Sequence, residues 1–333
     1  MRFTIFTFYK KDMSQQICLI SYDHWNYDFH IVNELRNQGH ISHHIKISGY
    51  KHAHFKDRIS NTLSKLFLGK NLKKIRRQEA ILKRLDDLGF QDQILVINPE
   101  VIDLEFHLKI KKRCTTYIAY LYDSVKRNPV DHLLEGLFDK VYSFDKDDIE
   151  TYQLKPANNY IYLPYQTINK SPKFDVVYVG SLDERLSDLL KIAKHLKKLN
   201  INYKFVVIGK RKVFEALKMN NLDLITFEDK RKSQMELLEF YKCSHTILDL
   251  IRPEQTGLSF RFFEALPLQK KIITNNIHVS TYDFHNPENI HIVKNTNHLN
   301  ISESFFKSPY KELPKNIYKK YTLNHWVQMV FNL

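Results

Sequence analysis

Residues 247–276 read ILDLIRPEQTGLSFRFFEALPLQKKIITNN. Together with Thr246, the first residues form an aliphatic run, Thr246 to Ile251, of the kind a strand buried on both faces needs. Arg252-Pro253-Glu254 ends it, because proline cannot donate to a sheet ladder. Gln255-Thr256-Gly257 then starts a short helical pattern that closes at Phe262-Phe263-Glu264-Ala265-Leu266, and Lys271-Ile-Ile-Thr274 returns to strand residues. Strand, glycine turn, helix, strand is the layout that aims backbone N–H groups and a helix N-terminus at an anion, most often a phosphate. Glu264, two turns along that helix, comes within reach of a ribose.

The alternation extends both ways from this stretch. Upstream, Val176-Val-Tyr-Val179 leads through Gly180-Ser181 to a helix over 184–199, with Leu186, Leu189, Leu190, Ala193 and Leu196 on one face. Phe205-Val-Val-Ile208 leads through Gly209-Lys210 to a helix over 211–219. A short strand at 225–227 and a helix at about 233–242 precede the opening stretch. Downstream come Ile290-His-Ile-Val293 and a terminal helix at about 320–332.

The first half repeats the pattern. Strands are predicted at 16–22, 43–47, 94–98, 117–122, 140–144 and 160–163. Helices are predicted after Asn26 up to Gly39, over 55–69, and at about 71–88, 102–112 and 146–153. Residues 166–173, QTINKSPK, are polar with a proline and read as a linker. The expectation is α/β: two Rossmann-like doubly wound domains with an inter-domain cleft. The first domain spans 1–165 and the second domain 174–318, with residues 319–333 as a terminal helix crossing back onto the first.

Composition supports packed cores: 333 residues, 43% hydrophobic and 13% aromatic, leave ample apolar material. Cys18, Cys114 and Cys243 have no paired spacing, which points away from zinc and disulfides and towards a reducing compartment. The N-terminal stretch is too short for a signal-peptide core, and no run approaches a membrane span, so a cytoplasmic location is expected. The balance of 51 basic to 37 acidic residues, net +14, implies anionic company. Much of it is local: residues 65–84 hold eight Lys or Arg against one acid, Glu79.

Several positions carry chemistry. Gly180-Ser181 is either a small-residue turn that lets a ligand approach the backbone or an ordinary tight βα turn. Lys210 and Arg211 follow a strand end, where basic groups suit a bound anion, or simply start a solvated helix. Asp123 ends a strand in the first half, the place for a general base, with a helix cap or an ion pair to Arg127 as the plain alternative. Asp23 and His24 occupy the equivalent place after the first strand and stand in reserve. No paired aspartates sit at a strand end and the histidines are scattered, so no metal is expected.

The second half resembles the donor-binding domain of GT-B glycosyltransferases, many of which carry two glutamates eight residues apart, the first followed by glycine and the second by alanine. Thr256-Gly257 and Glu264-Ala265 keep that spacing, with Thr256 in place of the first glutamate. Gln255-Thr-Gly-Leu-Ser-Phe-Arg-Phe-Phe-Glu-Ala-Leu266, followed by Lys-Lys-Ile-Ile-Thr, resembles a bacterial group of lipopolysaccharide and capsular polysaccharide synthesis. Tyr122-Asp-Ser124, Arg127-Asn-Pro129, Val141 to Asp145 with Asp147 and Asp148, and Leu163-Pro164 extend the likeness over about 115–276.

The resemblance implies a metal-independent transferase with a nucleotide-sugar as donor substrate and no cofactor. Gln255, Thr256, Gly257 and Leu258 would present backbone N–H groups and one hydroxyl to the diphosphate, and Glu264 would accept from the ribose. Arg261 either faces the phosphates or is an exposed helix arginine. Thr256 supplies no charge, so the stereochemistry of relatives with the first glutamate does not transfer. A glycan or lipid-linked acceptor is expected. Residues 65–84 then either lie on anionic lipid at the inner face of the plasma membrane or form a solvated helix face, and no nucleic-acid partner is expected.

Overall fold

The computed structural model describes residues 14–23, 25–47, 71–166, 172–217 and 220–333. Twelve strands among them form two six-stranded sheets. The first holds β1 (Gln16–Ser21), β2 (Ile41–Lys46), β3 (Gln91–Ile97), β4 (Cys114–Leu121), β5 (Lys140–Ser143) and β6 (Lys155–Pro156) in the order β2-β1-β3-β4-β5-β6. The second holds β7 (Phe174–Ser181), β8 (Tyr203–Ile208), β9 (Thr226–Glu228), β10 (Ser244–Asp249), β11 (Lys271–Thr274) and β12 (Ile290–Ile292) in the order β12-β11-β10-β7-β8-β9. All neighbours pair parallel. The chain is therefore two Rossmann-like α/β units.

Parallel strands need crossovers, and the crossover helices cover both sheet faces. This explains the apolar runs read in the sequence: Ile17 to Ser21, Ile94 to Ile97 and Tyr117 to Leu121 are buried throughout. Each sheet has a core on either face, with Ile17, Leu95 and Tyr120 on one side of the first and Cys18, Val96 and Ala119 on the other. Strand order reverses between β1 and β3 in one sheet and between β7 and β10 in the other. Crevices open at the carboxyl ends of strands at such points.

Three sequence expectations differ. Residues 160–163 form no sheet strand. Ile161 bridges Thr322 instead, its N–H donating to the Tyr321 carbonyl at 2.7 Å, so the segment runs between the two halves. The helix expected over 211–219 is Arg211–Glu215. The terminal helix divides into Lys315–Lys320 and Leu323–Phe331, the second starting at Thr322, whose hydroxyl accepts from the His325 N–H. The helix expected over 55–69 lies outside the described residues.

The last helix returns to the first sheet. Leu323, Trp326, Val327, Val330 and Phe331 enter the core of Ile17, Leu95 and Tyr120, and Gln93 donates to the Phe331 carbonyl at 2.7 Å. No helix among the described residues is long and apolar enough to cross a membrane.

Candidate active site at the seam between the two sheets

A cavity of about 250 Å³ opens at the carboxyl ends of β7 and β10, the reversal point of the second sheet. Gly180 and Ser181 form part of its wall. A Cβ on Gly180 would lie 2.1 Å from the Tyr178 hydroxyl, so only glycine fits under that ring. The wall is strongly basic, with Arg185, Arg231, Lys232, Arg252 and Arg261. Arg185 is fixed by Asp183 at 2.6 Å and by the Leu250 carbonyl at 2.8 Å. Arg252 is held more loosely, 3.1 Å from Asp183 and 3.5 Å from Glu184. Arg261 spends its fork internally, on Asp249 at 3.2 Å and the Val179 carbonyl at 2.6 Å.

Glu264 lies on the helix Phe260–Ala265, capped by Ser259, whose hydroxyl accepts from the Arg261 N–H and donates to Asp249 at 2.7 Å. The glutamate is 1% exposed yet lines the cavity. Its Oε1 accepts from the Tyr27 hydroxyl at 3.0 Å and the Tyr162 hydroxyl at 2.7 Å. Its Oε2 has no hydrogen-bond partner among the described residues. Burial pushes the carboxyl up to about 7, against the pull of the two phenols and of Arg261. An orphaned acceptor in a basic cavity is a place for a donor hydroxyl from a ligand.

A second cavity, about 310 Å³, abuts the first. Asp23, Tyr122 and Asp123 come from the first sheet's carboxyl ends and Asp28 from the first turn of the helix Tyr27–Asn37, while Trp25, Tyr27, Arg252, Gln255, Ser259 and Phe260 line both cavities. The two are thus one cleft, basic on one side and carboxylate-bearing on the other. Asp123 lies 3.5 Å from Arg127 and accepts from Asn128 at 3.4 Å. Burial raises its pKa, and Arg127 and Arg252 pull it back. Asp28 accepts from the Tyr122 hydroxyl, and burial raises its carboxyl to about 6.

The structure sorts the sequence-derived residues. Gly180, Ser181, Gln255, Arg261 and Glu264 meet at the first cavity, and Asp123 with Gln255 at the second. Thr256, Gly257 and Leu258 line neither. The Thr256 N–H, expected to face a diphosphate, donates to Asp145 at 2.8 Å, and its hydroxyl accepts from the Lys146 N–H at 2.8 Å. Leu258 is buried in the core of the second sheet. At Thr256 the turn packs against the first half. Lys210 is exposed at the start of the helix Arg211–Glu215 and outside both cavities. His24 lies outside the described residues.

Gly257 makes a prediction. A Cβ there would fall 2.4 Å from the Phe144 carbonyl oxygen and 2.2 Å from its ring. Gly257→Ala is expected to destabilise the chain by about 1–3 kcal/mol through overpacking, read from the midpoint of urea unfolding.

Sequence reasoning missed Arg252, Arg185, Tyr27, Tyr162 and Asp28. Arg252 had a signal, since it follows directly on the apolar run Thr246 to Ile251, at the carboxyl end of β10 and a reversal point. Among the described residues no group of three or more His, Cys, Asp or Glu is arranged to hold a metal ion.

No protein-family model matches the chain, and no curated protein matches it in sequence. Solved structures match it along most of its length. The α,α-trehalose-phosphate synthase (UDP-forming) from Burkholderia vietnamiensis superposes with a TM-score of 0.59 at 11% identity, covering 96% of each chain. An α-glucosyltransferase in complex with UDP gives 0.55 at 12%, over 95% of this chain and 96% of that one. A glycosyltransferase from Rickettsia africae gives 0.54 at 12%, over 96% and 94%. The fold is GT-B. At these identities the likeness is one of architecture.

Proposed function

We propose that the chain is a glycosyltransferase that moves a sugar from a nucleotide-sugar to a hydroxyl of a surface glycan or lipid-linked acceptor, as in lipopolysaccharide or capsule synthesis. The observation that carries this reading is Glu264 Oε2, a buried carboxylate oxygen without a protein donor, at the wall of a cavity lined by five Arg or Lys side chains. That pairing suits a ribose hydroxyl beside a diphosphate. The fold neighbours that carry UDP support the same ligand class.

In this reading the ribose donates to Glu264 Oε2, and the diphosphate lies towards Arg252 and Gln255, the residues shared by both cavities. Guanidinium groups suit the oxyanions that develop as the glycosidic bond breaks, and they act without a metal. Asp123 takes the proton of the acceptor hydroxyl from the opposite wall. Arg252→Ala is expected to lower nucleoside diphosphate affinity by about tenfold, since it removes hydrogen bonds to a charged group, without changing the unfolding free energy by more than about a few tenths of a kcal/mol. Calorimetric titration beside urea unfolding checks both parts.

The basic segment 65–84 is proposed to meet anionic lipid. Within its described part, Lys74 pairs with Asp103 and Arg77 donates to the Tyr22 hydroxyl at 2.7 Å, while Lys83 and Arg84 are exposed. Sedimentation with phosphatidylserine vesicles, weakened in Lys83→Glu/Arg84→Glu, measures this; equal sedimentation of both proteins removes it. A nucleic-acid acceptor is the alternative that net charge alone favours. Salt-sensitive retention on DNA that survives Glu264→Ala would bring it forward.

Thermal-shift screening against uridine, guanosine, adenosine, cytidine and thymidine diphosphates and their sugar conjugates tests the reading. At least one is expected to raise the unfolding temperature by several degrees at saturating concentration. If none does, the reading fails.

A further inference from the structure

Glu264 belongs to the second GT-B domain, yet both of its hydrogen-bond donors come from the first half of the chain. Tyr27 begins the helix Tyr27–Asn37, and Tyr162 lies on the segment that runs between the halves. Tyr27 also stacks on Phe260, one turn before Glu264, with centroids 3.8 Å apart and planes 12° from parallel. Tyr162 packs edge-on to Tyr27 at 5.4 Å. Two aromatic rings of one half thus meet a carboxylate of the other, with both hydroxyls on Oε1 and Oε2 left without a partner among the described residues.

We propose that Tyr27 and Tyr162 are positioning residues that clasp Glu264 from the first half of the chain and hold its carboxylate ready for the nucleotide. The proposal rests on the functional reading above and deepens it. The physical argument is one of charge. A buried carboxylate without donors takes up a proton, and a protonated carboxyl has one acceptor fewer for a ribose hydroxyl. Two phenol donors favour the ionised form and leave Oε2 open to a ligand. The other ionisable groups facing this point are Arg261, already neutralised by Asp249, the buried Tyr241, and His30 through its contact with the Tyr162 ring at 4.5 Å.

The test uses Tyr27→Phe, Tyr162→Phe and the double variant, which keep the rings and their stacking. Affinity for uridine diphosphate, or for whichever nucleoside diphosphate stabilises the wild-type chain most, is measured by calorimetry from pH 6 to 9. Ionisation of the nucleotide itself cancels in the ratio of variant to wild type. The double variant is expected to bind on the order of tenfold more weakly at pH 7, with the deficit shrinking towards pH 9 as Glu264 ionises without help. In a Glu264→Gln background the same substitutions should have no pH-dependent effect. An equal loss at every pH means the hydroxyls only pack, and no loss means they do nothing; either overturns the proposal. If the wild-type chain binds no nucleoside diphosphate, the functional reading fails, and the clasp is judged on the free protein. There the double variant should be destabilised more at pH 8 than at pH 5.5, and equal destabilisation overturns the clasp.

Discussion

Glu264→Gln is expected to weaken nucleoside diphosphate binding by about 10- to 100-fold, the range for losing a hydrogen bond to a charged group. The substitution keeps shape and volume. Its amide oxygen can still accept from Tyr27 and Tyr162, and its NH₂ then takes the place of the unpartnered Oε2. A ribose hydroxyl that donated to the carboxylate meets a donor instead. The free protein should respond in the opposite sense. Burial raises the Glu264 carboxyl in the folded chain to about 7, above its ordinary value, so the stabilisation from its proton is full below the unfolded pKa. It is lost as pH rises from about 4.5 through 7, and Glu264→Gln should flatten that part of the stability profile. Asp28 and Asp148, both raised to about 6, keep a residual slope in the same direction. Calorimetry of the complex and thermal unfolding of the free protein across pH measure the two effects separately.

Asp123→Asn is expected to leave nucleoside diphosphate affinity within about threefold and to cut the transfer rate by roughly 10²- to 10⁴-fold, the contribution of a placed general base. The separation follows from position. Asp123 lines the cavity on the first domain and is absent from the wall of the basic one. Burial raises its pKa above that of an ordinary aspartate, against the pull of Arg127 and Arg252, so the acid limb of the rate profile should be shifted upwards. Steady-state transfer to a glycoside acceptor, with binding measured in parallel, checks both. An unchanged rate would pass the role to Asp28, the other carboxylate of this cavity with a raised pKa.

The fold was legible because parallel strands buried on both faces leave unbroken apolar runs, and glycine or proline marks where they stop. Val176 to Val179 and Lys271 to Thr274 needed no tertiary information. The segment 160–163 misled because its aromatic and aliphatic residues fill the seam and the cores on either side of it rather than a sheet ladder. The site was legible where chemistry follows from topology: Gly180, Ser181, Asp123 and Glu264 sit at strand ends or on the helix behind one. It was illegible where a partner is remote. The Thr256 N–H meets Asp145, a residue 111 positions away, so a turn that looks free in the sequence is occupied in the fold. The Tyr27–Glu264 hydrogen bond spans 237 positions, and nothing local to either residue announces it.

The central claim is that a nucleotide-sugar binds between Glu264 and Arg252. A crystal structure with the nucleoside diphosphate that stabilises the chain most tests it directly. The account predicts a ribose hydroxyl within about 3 Å of Glu264 Oε2 and diphosphate oxygens at Arg252. A nucleotide seated elsewhere, with Oε2 still unpartnered, would contradict it.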